Sequence, residues 1–169
     1  MMSAARPSGA DGGVLVIGYG SDLRGDDAAG RRAADAVASR RLPGVRVLSL
    51  PQLAPELAED LVGVDLAIFV DASVGDDTVT VRTVEPVPPS WRLTHHVTPS
   101  ALLGLAAAMG AAPRAELVSI PASDLDLGTT LSRLTAGGVD EAVRWIVARC
   151  RRHKAPRGTG DRRPRSPRR

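Results

Sequence analysis

The chain has 169 residues, a single cysteine (Cys150), and only Tyr19, Phe69, Trp91 and Trp145 as aromatic side chains. This length suits one domain with a core of Val, Leu, Ile and Ala, and the lone cysteine excludes a disulfide framework or a multi-cysteine metal site. The net charge of +3 is unevenly spread: from Arg151 onward nine Lys/Arg face only Asp161, leaving 13 of the 22 basic and 18 of the 19 acidic residues in 1–150, a net of −5.

The acidic body argues against a phosphate or nucleic-acid ligand, and no apolar run approaches the roughly 20 residues that span a bilayer. Residues 1–12 read as a disordered lead without a secretory signal, and 13–150 as one α/β domain. Residues 151–169, rich in Arg and Pro, read as a disordered, solvated tail. The free thiol fits a reducing cytoplasm. No heptad seam predicts an obligate oligomer, so a monomer is expected.

"VLVIGYG" (14–20) predicts a short, fully buried strand. The "AAGRRAADAVASRRL" stretch has helical spacing, with Ala29, Ala33, Ala36 and Val37 on one side, and Pro43–Gly44 ends it. "VRVLSL" predicts a second strand. "PELAEDLVG" predicts a short helix, with Pro55 in its first turn and Gly63 at its end. "VDLAIFVDA" is a continuous apolar strand, and "TVTVRTVEPV" alternates as a half-exposed, hairpin-like one. Thr98 and Pro99 suit the N-cap and first position of a helix that Gly110 closes. "RAELVSIPA" predicts a strand, and "GVDEAVRWIVARC" a last helix with Val139, Val143, Ile146 and Val147 on its apolar side. The order βαβαβ, strand, αβα predicts a three-layer α/β/α sandwich around a mostly parallel, mixed sheet.

In such sheets, sites gather beyond the carboxyl ends of the strands. The first strand ends in "GYGSDLRGDD" (18–27), with Asp22, Asp26 and Asp27; the third ends at Asp71; and "WRLTHHV" brings His95 and His96 ahead of the Thr98 helix. Each has a plainer reading. Asp26 or Asp27 would cap the first helix, Asp71 would form a turn, and the histidines would be surface residues. Together they form a carboxylate–imidazole set suited to a borderline divalent cation such as zinc or nickel, with coordination positions left open. Nucleotide motifs fail on their own terms. Leu23 stands where a dinucleotide fingerprint needs its third glycine, no lysine completes a P-loop, and G-x-S-x-G and H-E-x-x-H are both missing. A Ser21–His95 nucleophile pair stays open, but no spacing supports it.

These segments resemble the hydrogenase maturation proteases. "VLVIGYGSDLRGDDAAGRRAADAV" is similar to their first block, a strand running into G-x-G-N-x-L-x-x-D-(D/E)-x-x-G. "LAIFVDASVGD", "THHVTPSALLGLAAAMG" and "VSIPASDLDLGTTLS" resemble the second, third and C-terminal blocks in order, over about residues 13–150. Ser21 replaces the usual asparagine and Ala28 the usual glycine, which bears on loop geometry more than on ligands.

The resemblance implies a phosphorylase/hydrolase-like α/β/α fold. It also implies an endopeptidase that removes the C-terminal extension of a nickel–iron hydrogenase large-subunit precursor after nickel insertion. Asp27, Asp71 and His95 are then the catalytic and nickel-recognising residues, with His96 the fallback. The nickel belongs to the precursor, which is the expected partner. The rival readings are a non-proteolytic metal-binding assembly factor, a nucleotide-binding α/β module, and a nucleic-acid adaptor acting through the tail.

Overall fold

The structure is a computed structural model that describes residues 13–88 and 97–154. The strands are β1 (Gly13–Tyr19), β2 (Val45–Leu50), β3 (Val64–Val74), β4 (Thr80–Thr83) and β5 (Arg114–Ala122). They form one sheet in the order β2-β1-β3-β5-β4. All neighbours are parallel except β4, which runs antiparallel to β5. The helices are α1 (Ala29–Ala38), α2 (Pro99–Ala108) and α3 (Arg133–Lys154), and 3-10 turns span Gly25–Ala28 and Pro55–Leu61.

The three layers follow from strand alternation. Val14 and Val16 of β1, Leu66, Ile68 and Val70 of β3, and Val118 and Ile120 of β5 pack on one face beneath α1 and α3. Leu15, Ile17, Ala67, Phe69, Ala115 and Leu117 face the other way, beneath α2 and the Pro55–Leu61 turn. Because both faces are covered, the middles of β1 (14–17) and β3 (66–70) are apolar throughout, and each large aliphatic side chain buried there stabilises the fold by about 1.5–3 kcal/mol.

The last helix begins earlier than "GVDEAVRWIVARC" suggests. It starts at Arg133, and Ser132 caps it by accepting from the Thr135 N–H at 3.3 Å. Gly138, the first residue of the expected helix, is where the helix crosses β5: a Cβ there would stand 3.0 Å from Ile120 Cγ2 and Pro121 Cδ. The helix also runs past Cys150 to Lys154. Thr98 caps α2 as expected, accepting from Ala101 N–H at 3.2 Å.

The hairpin expectation for β4 is corrected. Although it follows β3 in sequence, β4 pairs with β5, with Thr80 opposite Ser119 and Thr83 opposite Glu116. The apolar β5 takes the interior place beside β3. The short β4, exposed along its whole length, suits the edge, where polar residues discourage further pairing.

Candidate active site

The opening glycines do two different jobs. Gly18 leaves room where α1 crosses β1: a Cβ there would collide with Gly30 and Ala34, so the requirement is space. Gly20 has φ +137°, a conformation that side-chain-bearing residues rarely adopt, and its missing Cβ lets the chain fold back over the Asp27 carbonyl.

The turn that results separates two neighbouring aspartates. Neither caps a helix through its side chain, which corrects the capping expectation. Asp26 is fully buried and turns away from the sheet edge to hold the loop before α3. Its Oδ2 accepts from the N–H groups of Ser123 and Asp124, both at 2.9 Å, and from the Ser132 hydroxyl at 2.8 Å. Its Oδ1 accepts from Ser132 N–H at 2.7 Å. Burial alone would raise its pKa, but the donors from Ser132, Ser123 and Asp124 together win and hold it well below the usual carboxylate range.

Asp27 instead stays at the edge, half-buried, with Oδ2 accepting from Ser21 N–H at 2.8 Å. Asp71, also half-buried, lies at the carboxyl end of β3. Gly18 pairs with Val70, which brings Tyr19 beside Asp71 in the next register position. Tyr19 donates its hydroxyl to Asp71, and Ala72 N–H donates to Asp71 Oδ1 at 2.9 Å.

Burial pushes the Asp71 carboxyl up to about 6, against the hydrogen bonds from Tyr19 and Ala72, and the Asp27 charge adds to the rise. Burial, followed by the Asp71 charge, drives the Tyr19 phenol far above its ordinary value, so it stays a hydrogen-bond donor at any working pH.

Asp27 and Asp71 therefore come together at the sheet's carboxyl edge, while His95 and its fallback His96 lie outside the described residues. Among the described residues, no group of three His, Cys, Asp or Glu is placed to hold a metal ion. Asp22 is engaged elsewhere, paired with Arg31 on α1. Sequence reasoning missed Tyr19, whose only signal is its place as the last residue of β1. It also missed the part played by Asp26, whose partners lie about a hundred residues away.

Several solved structures share this architecture. Hydrogenase maturating endopeptidase HybD from E. coli is 22% identical, with a TM-score of 0.65 over 84% of this chain and 94% of that one. The fold is that of the hydrogenase maturation endopeptidases. Maturation protease HycI from Thermococcus kodakarensis KOD1 has a TM-score of 0.66 at 19% identity, over 82% of this chain and 92% of that one. A hydrogenase 2 maturation peptidase from Thaumarchaeota archaeon SCGC_AB-539-E09 has 0.62 at 24% identity, over 81% and 97%. Neither a protein-family model nor a curated protein sequence matches this chain.

Proposed function

We propose that the protein is a cytoplasmic endopeptidase that trims the C-terminal extension of a nickel–iron hydrogenase large-subunit precursor once nickel is in place. The observation that carries this reading is the meeting of Asp27 and Asp71 at the carboxyl edge of a fold shared with solved hydrogenase maturation proteases. His95 is the third residue of the proposed set. Asp27 and Asp71 are each fixed by named donors, and an ionised carboxylate accepts about four hydrogen bonds, so both keep capacity for an incoming cation or water.

In this reading nickel arrives with the substrate. Its charge favours ionised Asp71, opposing the burial that raises the pKa, so docking a loaded precursor releases a proton from a partly protonated site. An empty precursor brings no such compensation and leaves two like charges facing each other. The carboxylates thereby distinguish loaded from empty substrate before a water molecule adds to the scissile carbonyl. The C–N bond then breaks to leave a new carboxylate and a free amine.

The test is to incubate the protein with nickel-loaded and nickel-free precursor and follow C-terminal trimming by mass. The expected result is cleavage of the loaded form alone, reduced at least about a hundredfold by Asp27→Asn or His95→Ala. Wild-type processing rates in those variants would remove the site assignment. Failure to cut any precursor, with nickel-dependent binding retained, would instead identify a non-proteolytic assembly factor.

A further inference from the structure

On the turn that leads to Asp27 and on the segment bonded to it, the structure exposes apolar side chains on a hydrogen-bonded support. Leu23 is 67% and Leu127 88% exposed. They rise from two segments whose backbones are joined: Gly128 N–H donates to the Leu23 carbonyl at 3.0 Å, and Gly25 N–H to the Gly128 carbonyl at 2.9 Å. The Asp26 carboxylate ties the ends of the second segment, at Ser123 and Ser132, to the same turn. Single exposed leucines are ordinary on protein surfaces. This pair differs because its backbone is held by the buried Asp26 carboxylate, and Leu23 lies four residues from Asp27 along a turn whose Ser21 N–H is itself bound to Asp27.

We propose that Leu23 and Leu127 form an apolar step that seats the stretch of precursor next to the scissile bond, an inference that rests on the endopeptidase reading above. The charges around the step select its occupant. Arg24 adjoins Leu23, but Asp124 and Asp126 flank Leu125 on the facing loop, neither is in an ion pair among the described residues, and Asp27 lies four residues along the turn, so acids outnumber the one base around the step. The matching segment therefore carries an apolar side chain next to basic, not acidic, residues. A second copy of this chain would bring an equally acidic surface against the step, and an anionic membrane would be repelled. Because the support is already hydrogen-bonded, seating the peptide costs little ordering of the enzyme, which is what makes a small apolar contact useful in binding.

Initial rates over a range of nickel-loaded precursor concentrations test the step, comparing wild type with Leu23→Ser/Leu127→Ser and Leu23→Met/Leu127→Met. The serine variant should raise KM about tenfold or more with kcat within about twofold, and the methionine variant should keep the wild-type KM. Both sites are solvent-facing, so thermal melting of all three proteins should coincide.

A serine variant with wild-type KM, or one that loses kcat alone, overturns the step while the endopeptidase reading stands. Failure of the wild type to cut any precursor overturns that reading, and the step with it. Sedimentation supplies one further outcome: a wild-type dimer that the serine variant converts to monomer assigns the step to a second copy of this chain, which also overturns the proposal.

Discussion

Asp26 and Asp71 have opposite electrostatic situations, and the difference predicts how each variant behaves. Asp26 has its folded pKa lowered, so its contribution to stability is complete above about pH 4 and is lost as pH falls through the folded value. Asp26→Asn places an amide against donors that need an acceptor, and should cost about 3 kcal/mol at pH 7. Chemical denaturation should show that loss, together with a flatter acid limb than the wild type. Asp71 has the opposite sign. With a folded pKa of about 6 against an ordinary 3.8, the folded state favours the protonated acid. The stability it lends is complete below about pH 4 and is lost as pH rises through 6. Asp71→Asn should therefore melt higher than wild type at pH 7.5, by the equivalent of about 1–2 kcal/mol, with the gain vanishing near pH 4. A wild-type melting temperature at pH 7.5 equal to or above that of the variant would show that Asp71 is not held in this desolvated state.

At the scale of elements, the sequence was most legible where burial is uniform. β1, β3 and β5 announce themselves as apolar runs because both their faces are covered, and α1 through its small-residue stripe. What stayed hidden depends on distant partners. The expected last helix begins only at Gly138, yet Gly138 lies inside α3 and is the contact that brings it against Ile120 and Pro121. Likewise the polar alternation of β4 gives its exposure but not its neighbour, which is set by the competition with β5 for the place beside β3. The places of Asp27 and Asp71 beyond β1 and at the end of β3 were readable because strand ends are; the Asp26 network, spanning residues 26 to 132, was not. Gly30 offers a decisive comparison of local and tertiary effects. Alanine favours a helix over glycine by about 1 kcal/mol, but a Cβ at Gly30 would collide with the Val70 and Tyr19 carbonyls. The collision should dominate, so Gly30→Ala should lower stability by about 2–3 kcal/mol. Both struck carbonyls adjoin the Tyr19–Asp71 pair, so the change should also slow precursor trimming. A melting temperature above wild type would reverse this ranking.

For the whole molecule, the question is where the folded unit ends. Charge and composition placed the boundary after Cys150, because the run of arginines begins there. The helix continues to Lys154, and the last turn adds a contact to the amino-terminal edge of the sheet, opposite the acid pair. His153 has only 6% of its side chain exposed. Its Nδ1 lies 3.3 Å from an Arg114 guanidinium nitrogen and so must act as the acceptor. That leaves Nε2 to face the Asp65 carboxylate at 3.6 Å. Arg114 opens β5 and Asp65 lies near the start of β3, so one side chain joins the end of α3 to two central strands. Removing residues 155–169 should leave this intact and change the melting temperature by less than about 1 °C. Removing 151–169 takes away His153 and the final turn, exposes Cys150, and leaves Arg114 and Asp65 without that bridge. Loss of one partly buried hydrogen-bonded group and a helix end amounts to about 1–2 kcal/mol, or about 3–6 °C for a domain of this size. The two truncations should differ by that amount at pH 7.5, with trimming activity preserved in both because the bridge lies at the opposite edge of the sheet from Asp27 and Asp71. Equal melting temperatures for the two truncated chains would place the end of the folded unit at Cys150, as the charge pattern alone suggests.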